Sequence, residues 1–369
     1  MNPFKYEDEY ISRTEFMIAI PAMIIGVTVL SLPGSIAKAT LYSDGWLVIL
    51  ISGVMFTVMA ILATKLAVLF PGQSFLSYTS YLVTKPVATI ITFIYSIIAI
   101  LLSAYSICSV AFISQEYLFE QTPMEVLGLL FLLVVVYAVS GSRAGIFRLN
   151  ILFLPIILFV VLFIILFNIH WFEAVNFLPM FQTNFKSYIY GIKETFNTFV
   201  GYGIILFYVS MLKKHQHLSK RVIIGMSIPI VLYIAIFLTS IGVFGHAVTA
   251  NLKYPMIELA KRIDVPGGIF ERVDAFIFTI WMMAIFNTVA ITFDVAVYLL
   301  SSIFKRIEKK LLTFILSPIV FYISMFPQQI HQMETFGRMI NHFTGYFTIV
   351  VIIGLLLIAK IRGVNSDAK

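Results

Sequence analysis

Two glycine-containing stretches and one acid inside apolar sequence carry most of the chemistry this chain could do. Gly26-Val-Thr-Val-Leu-Ser-Leu-Pro33-Gly34 lies in one apolar run, and Asn197-Thr-Phe-Val-Gly201-Tyr-Gly203 in another. Glycine removes the Cβ that hinders left-handed or extended backbone, and Pro33 cannot donate to the carbonyl one turn before it. A helix broken in this way exposes half-helix ends. The N-terminal end attracts a carboxylate and the C-terminal end an ammonium, so a free amino acid suits both. Thr28 and Ser31 can satisfy freed backbone groups or face a ligand. A proline kink and a glycine packing contact would explain each stretch singly. Their pairing, in the first and sixth apolar runs, favours a binding site for a small polar molecule.

Asp294 stands about ten residues before Lys305, roughly 15 Å along a helix. An ionisable group at that depth is a functional candidate. It reads as a gate or ion contact that stabilises a closed inner end. It reads equally as a cavity-facing residue paired with a hydroxyl, a water or Lys65. Glu271, Arg272 and Asp274 fall at the outer end of the same run, where an interfacial brace is expected. Asn287 adds a polar side chain at mid-depth. Tyr95, Tyr105 and Tyr202 could reach a ligand, although with 35 Phe and 18 Tyr most aromatics serve packing or interfacial belts. The six His show no metal-ligand spacing, so no metal is expected, and no cofactor. Cys108, the single cysteine, excludes an intrachain disulfide and reads as a small buried hydrophobe. No cluster of His, Asp or Glu aims at a common point, which argues against an enzyme.

The elements that must position these residues are transmembrane helices. The chain is 60% hydrophobic and 12% charged, and its apolar runs recur over the whole length. Lipid is therefore the solvent for most of the surface, and about 20 apolar residues make a span. Ten spans are predicted, near 14–38, 44–69, 87–117, 123–141, 149–168, 189–211, 221–246, 273–304, 311–327 and 338–359. The Ser/Tyr-rich segment 71–86 fits a short interfacial helix. Placing the N-terminus in the cytoplasm puts 17 of the 25 Lys and Arg on the inner side, so both termini are expected there. The net charge of +7 is thus topological, and nucleic acid is not an expected partner. The acidic N-terminus, Glu7-Asp-Glu9, lacks the basic region of a signal peptide.

Ten spans divide into two fives. Five is odd, so two similar halves, 14–168 and 189–359, would be inverted repeats within a single transmembrane domain covering 1–369. The predicted fold class is an all-α membrane protein of ten transmembrane helices, in two inverted five-helix repeats with helices one and six broken.

A series of motifs in order along the chain resembles the spore germination permeases, the B subunits of germinant receptors in endospore-forming bacteria. They are Gly26-x-x-x-Leu30-x-Leu-Pro33, Asp44-Gly-Trp46, Phe70-Pro-Gly72, Arg148 with Pro155, Asn176-Phe-Leu-Pro179, Phe199-x-Gly201, Lys213-Lys214, Tyr254-Pro255 and Glu271-Arg-x-Asp274 leading to Trp281. That family is similar to the amino acid–polyamine–organocation transporters. The resemblance implies a multi-pass subunit of the spore inner membrane that binds a small nutrient, an amino acid first among them. It would signal through an A subunit and a lipoprotein C subunit. It also implies a pocket of Gly26, Val27 and Thr28 from span one, Ile98 and Leu102 from span three, Val200 and Gly201 from span six, and Thr288 and Thr292 from span eight. The residues themselves support spans one and six and add Asn287. The sequence departs from the family's pattern at Thr28 and Gly203, where Gly and Glu are common, and at Gly34, where Arg is. A proton-coupled amino-acid transporter is the alternative, because both functions need a site between broken helices.

Overall fold

The computed structural model describes residues 10–212, 216–263 and 273–364. Glu271, Arg272, Lys213 and Lys214 lie outside the described residues, and so does the side chain of Asp274.

Ser12 opens the first helix with a capping box, its hydroxyl accepting from the Glu15 amide while the Glu15 carboxylate accepts from the Ser12 amide. That helix, α1 (Arg13–Ile24), ends where Gly26 stands, and α2 (Thr28–Ala39) leaves at 54° to it. The break covers residues 25–27. Pro33, expected to share in the break, instead lies inside α2. It sits in the second turn, where one missing backbone bond leaves the rest of the helix intact.

The chain continues through α3 (Gly45–Val68), the short α4 (Phe75–Leu82), α5 (Lys85–Tyr117), α6 (Met124–Ser140) and α7 (Arg143–Asn168). α4 occupies the segment expected to form a short helix. After α7 come two single 3-10 turns and α8 (Phe185–Glu194). Span six follows in pieces: α9 (Phe196–Phe199), a 3-10 stretch over Val200–Ile204, α10 (Ile205–Tyr208) and a last 3-10 turn, Val209–Met211. It breaks by tightening rather than by bending. The second half closes with α11 (Leu218–Asn251), α12 (Pro255–Lys261), α13 (Val273–Ile303), α14 (Lys309–Ser324) and α15 (Ile330–Ile361). Gly245 at φ +73° interrupts α11 one residue before the predicted end of span seven.

Six of these helices are long and apolar enough to cross a membrane, and the bent pair α1–α2 makes a seventh by the same test. α6 and α14, of 17 and 16 residues, are shorter. Residues exposed on α7 (Leu152, Ile156, Phe159, Leu162 and Leu166) fall on one stripe at helical spacing. In water such a stripe would be a liability; in a bilayer it is the lipid-facing side. α13 is the opposite case. Its most apolar window is 89% buried, against 33% for α7, so α13 is the central post around which the other helices pack.

Loop motifs brace this bundle. Asp44, buried at the start of α3, accepts the amides of Phe181 and Thr183 at 2.6 and 2.8 Å. Asn176 donates to the Gly242 carbonyl at 2.9 Å, tying the segment after α7 to α11. Both residues therefore shape the loop that leads into span six.

A candidate ligand site at the two helix breaks

A broken helix in lipid must find new partners for its freed carbonyls. Here hydroxyls from neighbouring spans supply them. Thr288 on α13 reaches the carbonyls of Ala22 and Met23, both at 3.3 Å. Tyr233 on α11 donates to the Ile24 carbonyl at 2.8 Å and lies 3.3 Å from the Thr28 hydroxyl. In span six, Tyr78 of α4 donates to the Leu206 carbonyl at 2.9 Å. The last turn of α1 is thus fixed to α11 and α13. The amides on the other side of the break differ: Gly26 and Val27 donate to no acceptor among the described residues.

Two glycines let the breaks meet. A Cβ on Gly26 would stand 2.6 Å from the Thr288 hydroxyl. A Cβ on Gly201 would stand 2.9 Å from both Ile24 and Met23 side chains. Gly203 is not tight, its nearest neighbour being Thr348 at 3.7 Å. The close approach of spans one and six therefore depends on Gly201, and that of span one to α13 on Gly26.

Three connected spaces surround this junction. A small cavity of about 50 Å³ is lined by Gly26, Val27, Thr28, Leu102, Val200, Gly201, Thr288 and Thr292. A second, of about 40 Å³, continues below it past Ile98, Tyr95 and Phe207 and shares Leu102, Val200, Gly201 and Thr292 with the first. A vestibule of about 370 Å³ opens above, between α2, α15 and the segment around Asn251–Tyr254. Nine of the ten expected ligand residues thus fall together. Asn287 does not. It is buried, lines none of these spaces, and its side-chain N and O have no partner among the described residues. Asn287 precedes Thr288 on α13, so it points about 100° around the helix from the cavity. Tyr105 lines the cavity and the vestibule, Tyr95 lines the lower space, and Tyr202 instead packs on Phe56. Thr198 and Asn341, which sequence reasoning missed, line both the vestibule and the cavity. The one signal for them was polarity inside an apolar run.

Away from the vestibule the bundle is closed by charge. Asp294 is fully buried and lies 3.1 Å from Arg143 Nε, 3.2 Å from Lys309 Nζ and 2.7 Å from the Tyr208 hydroxyl. Lys309 also donates to the Gly141 carbonyl at 2.8 Å, and Arg143 stacks over Tyr298 at 4.8 Å. One carboxylate therefore ties α13 to the starts of α7 and α14 and to the end of α10. Of the expected partners a hydroxyl is present, that of Tyr208, while Lys65 is exposed on α3 and Arg143 and Lys309 supply the positive charge. Nearer the far side, Glu116 pairs with Lys253 at 3.0 Å.

Residues 10–333 match the sequence profile of a family described as "Spore germination protein". The chain is 39% identical to the spore germination protein GerLB of Bacillus cereus, over 99% of this chain and 98% of that one. It is 26% identical to the spore germination protein YndE of Bacillus subtilis (strain 168), over 95% and 97% of the two chains. Among solved structures, the crystal structure of MhsT in complex with L-phenylalanine aligns with a TM-score of 0.65 at 14% identity, covering 95% of this chain and 98% of that one. At that identity the likeness is one of fold.

Proposed function

This chain belongs to the spore germination protein family, and from that membership we propose that it is the ligand-binding membrane subunit of a nutrient germinant receptor. The ligand is a small nutrient, an amino acid in the first place, held where spans one and six break. The observation that carries this reading is the junction of Gly26 and Gly201, with a cavity at the break, an open vestibule on one side and the buried Asp294 network on the other. The unpartnered amides of Gly26 and Val27 stand just before α2 and suit a carboxylate.

In this reading the ten spans form two inverted five-helix repeats, 14–168 and 189–359. α6 and α14 cross despite their length, and both termini face the cytoplasm of the spore inner membrane. The Asp294 end is then cytoplasmic and closed, and the vestibule faces outward. Ligand binding would be passed to a receptor A subunit and a lipoprotein C subunit.

The test is a calorimetric screen of the purified chain against the common amino acids and sugars, repeated with Gly26→Leu. A ligand that binds the unmodified chain and not the variant supports the site. Binding that survives Gly26→Leu removes span one from it. Gradient-driven accumulation of that ligand in proteoliposomes would assign proton-coupled transport instead of sensing.

A further inference from the structure

The carbonyls that end α1 are the natural partners of a ligand ammonium, and here they are occupied. Thr288 covers Ala22 and Met23, and Tyr233 covers Ile24. An ammonium that displaced either hydroxyl would have to break the tie between α1 and its neighbours. The cavity must therefore offer acceptors elsewhere. Of its buried polar side chains, Ser106, Thr288 and Thr292 each commit a hydroxyl to a backbone carbonyl. Thr198 and Asn341 do not. They are 4% and 6% exposed; the Thr198 amide donates to the Thr195 carbonyl, but neither side chain bonds another described residue. Their polar atoms are not among the fully buried unpartnered ones; they open on the cavity and the vestibule that both residues line, where a ligand can meet them.

Resting on the function proposed above, we infer that Thr198 and Asn341 form the ammonium end of the ligand site, the Thr198 hydroxyl and the Asn341 amide oxygen taking the role of the α1 carbonyls. The Gly26 and Val27 amides hold the carboxylate, so the ligand's two charged groups span the gap between the α1–α2 break and the α9–α15 side of the neck. The side chain then points into the lower space, between Ile98 and Phe207. Span ten becomes part of the recognition surface. Its position is fixed one turn earlier by Gly337, where a Cβ would collide with the Tyr105 ring.

Three variants of the full chain decide the matter: Asn341→Leu, Asn341→Asp and Thr198→Val. Each is titrated calorimetrically with L-alanine, L-valine and L-phenylalanine, after size-exclusion chromatography shows the unmodified profile. Asn341→Leu and Thr198→Val are expected to weaken the best-bound probe at least about tenfold. Asn341→Asp keeps the acceptor and adds a negative charge. It is expected to bind at least about tenfold more tightly than Asn341→Leu. If Asn341→Asp binds no better than Asn341→Leu, the amide serves the carboxylate and the assignment is overturned. Unchanged binding in Thr198→Val overturns it for that residue, and this variant carries the test alone if both Asn341 variants misfold. Failure of the unmodified chain to bind any amino acid would overturn the proposed function itself, whereas failure of these variants to lose affinity overturns only the ammonium assignment.

Discussion

The Tyr208 hydroxyl, at the end of α10, donates to the Asp294 carboxylate of α13 across 2.7 Å. Tyr208 thereby links the discontinuous sixth span to the charge cluster that closes the bundle below the cavity. A change at the span-six break has a direct mechanical route to the ion pairs of Arg143 and Lys309.

Asp294→Asn should break that closure. It removes the charge facing Arg143 and Lys309 and leaves two cations together at a buried site, a loss of about 3–5 kcal/mol for a broken buried pair. The melting temperature of the purified protein should fall, and a cysteine placed at Ser302 in a Cys108→Ala background should label faster. Unchanged melting, labelling and ligand affinity would remove Asp294 from any gating role.

Tyr208→Phe is the milder companion. It deletes one hydrogen bond, about 1 kcal/mol, and leaves both ion pairs. The expected result is a small loss of stability with labelling intermediate between the parent and Asp294→Asn. Equal labelling in the two variants would show that the hydroxyl, and not the charge, closes the end.

The two glycines of span six should differ. Gly201→Ala puts a methyl 2.9 Å from Ile24 and Met23, whereas Gly203→Ala meets nothing closer than 3.7 Å. Gly201→Ala is expected to weaken ligand binding more than about tenfold, and Gly203→Ala to change it less than about threefold. Equal effects measured by the same titration would mean that span six packs differently at its break.

Thr288→Val keeps the shape and deletes the hydroxyl that serves Ala22 and Met23. Two carbonyls then lose a donor in a dry site, for about 1–3 kcal/mol. A Gly26→Ala change should be partly rescued by Thr288→Ala, because the clash and the clashing group disappear together. Simple additivity of the two in thermal unfolding would show that Gly26 and Thr288 are not neighbours.

The long apolar helices, six and the bent pair α1–α2 among the described residues, were legible because apolar length is set by the bilayer and appears directly in composition. The break at Gly26 was legible too, from a glycine paired with a second glycine-containing stretch in the sixth apolar run. Pro33 misled because a proline near a helix start is tolerated, and sequence gives no register for the break. Asn287 and Thr288 are adjacent, yet one lines the cavity and the other does not. That difference is a rotation of about 100°, fixed by how α13 packs and invisible in polarity. Asp294 was marked by its place inside an apolar run, while its partners came from residues 151 positions before it and 15 after it, a tertiary fact. Thr198 and Asn341 were passed over because most hydroxyls in such helices bond back to their own turn, as Thr344 does to Ile340.

The first span is a fixed post joined to a rod. α1 is pinned at its last turn by Thr288 and Tyr233, while α2 extends twelve residues from the joint and lies with Gly34 under the Leu252 carbonyl. Such a rod is about 18 Å long, and a tilt of about 10° would carry its tip about 3 Å. An occupant only a few atoms across, lodged at the pivot, would displace surface far larger than itself. News of its arrival could reach a neighbouring protein without the occupant ever leaving the joint.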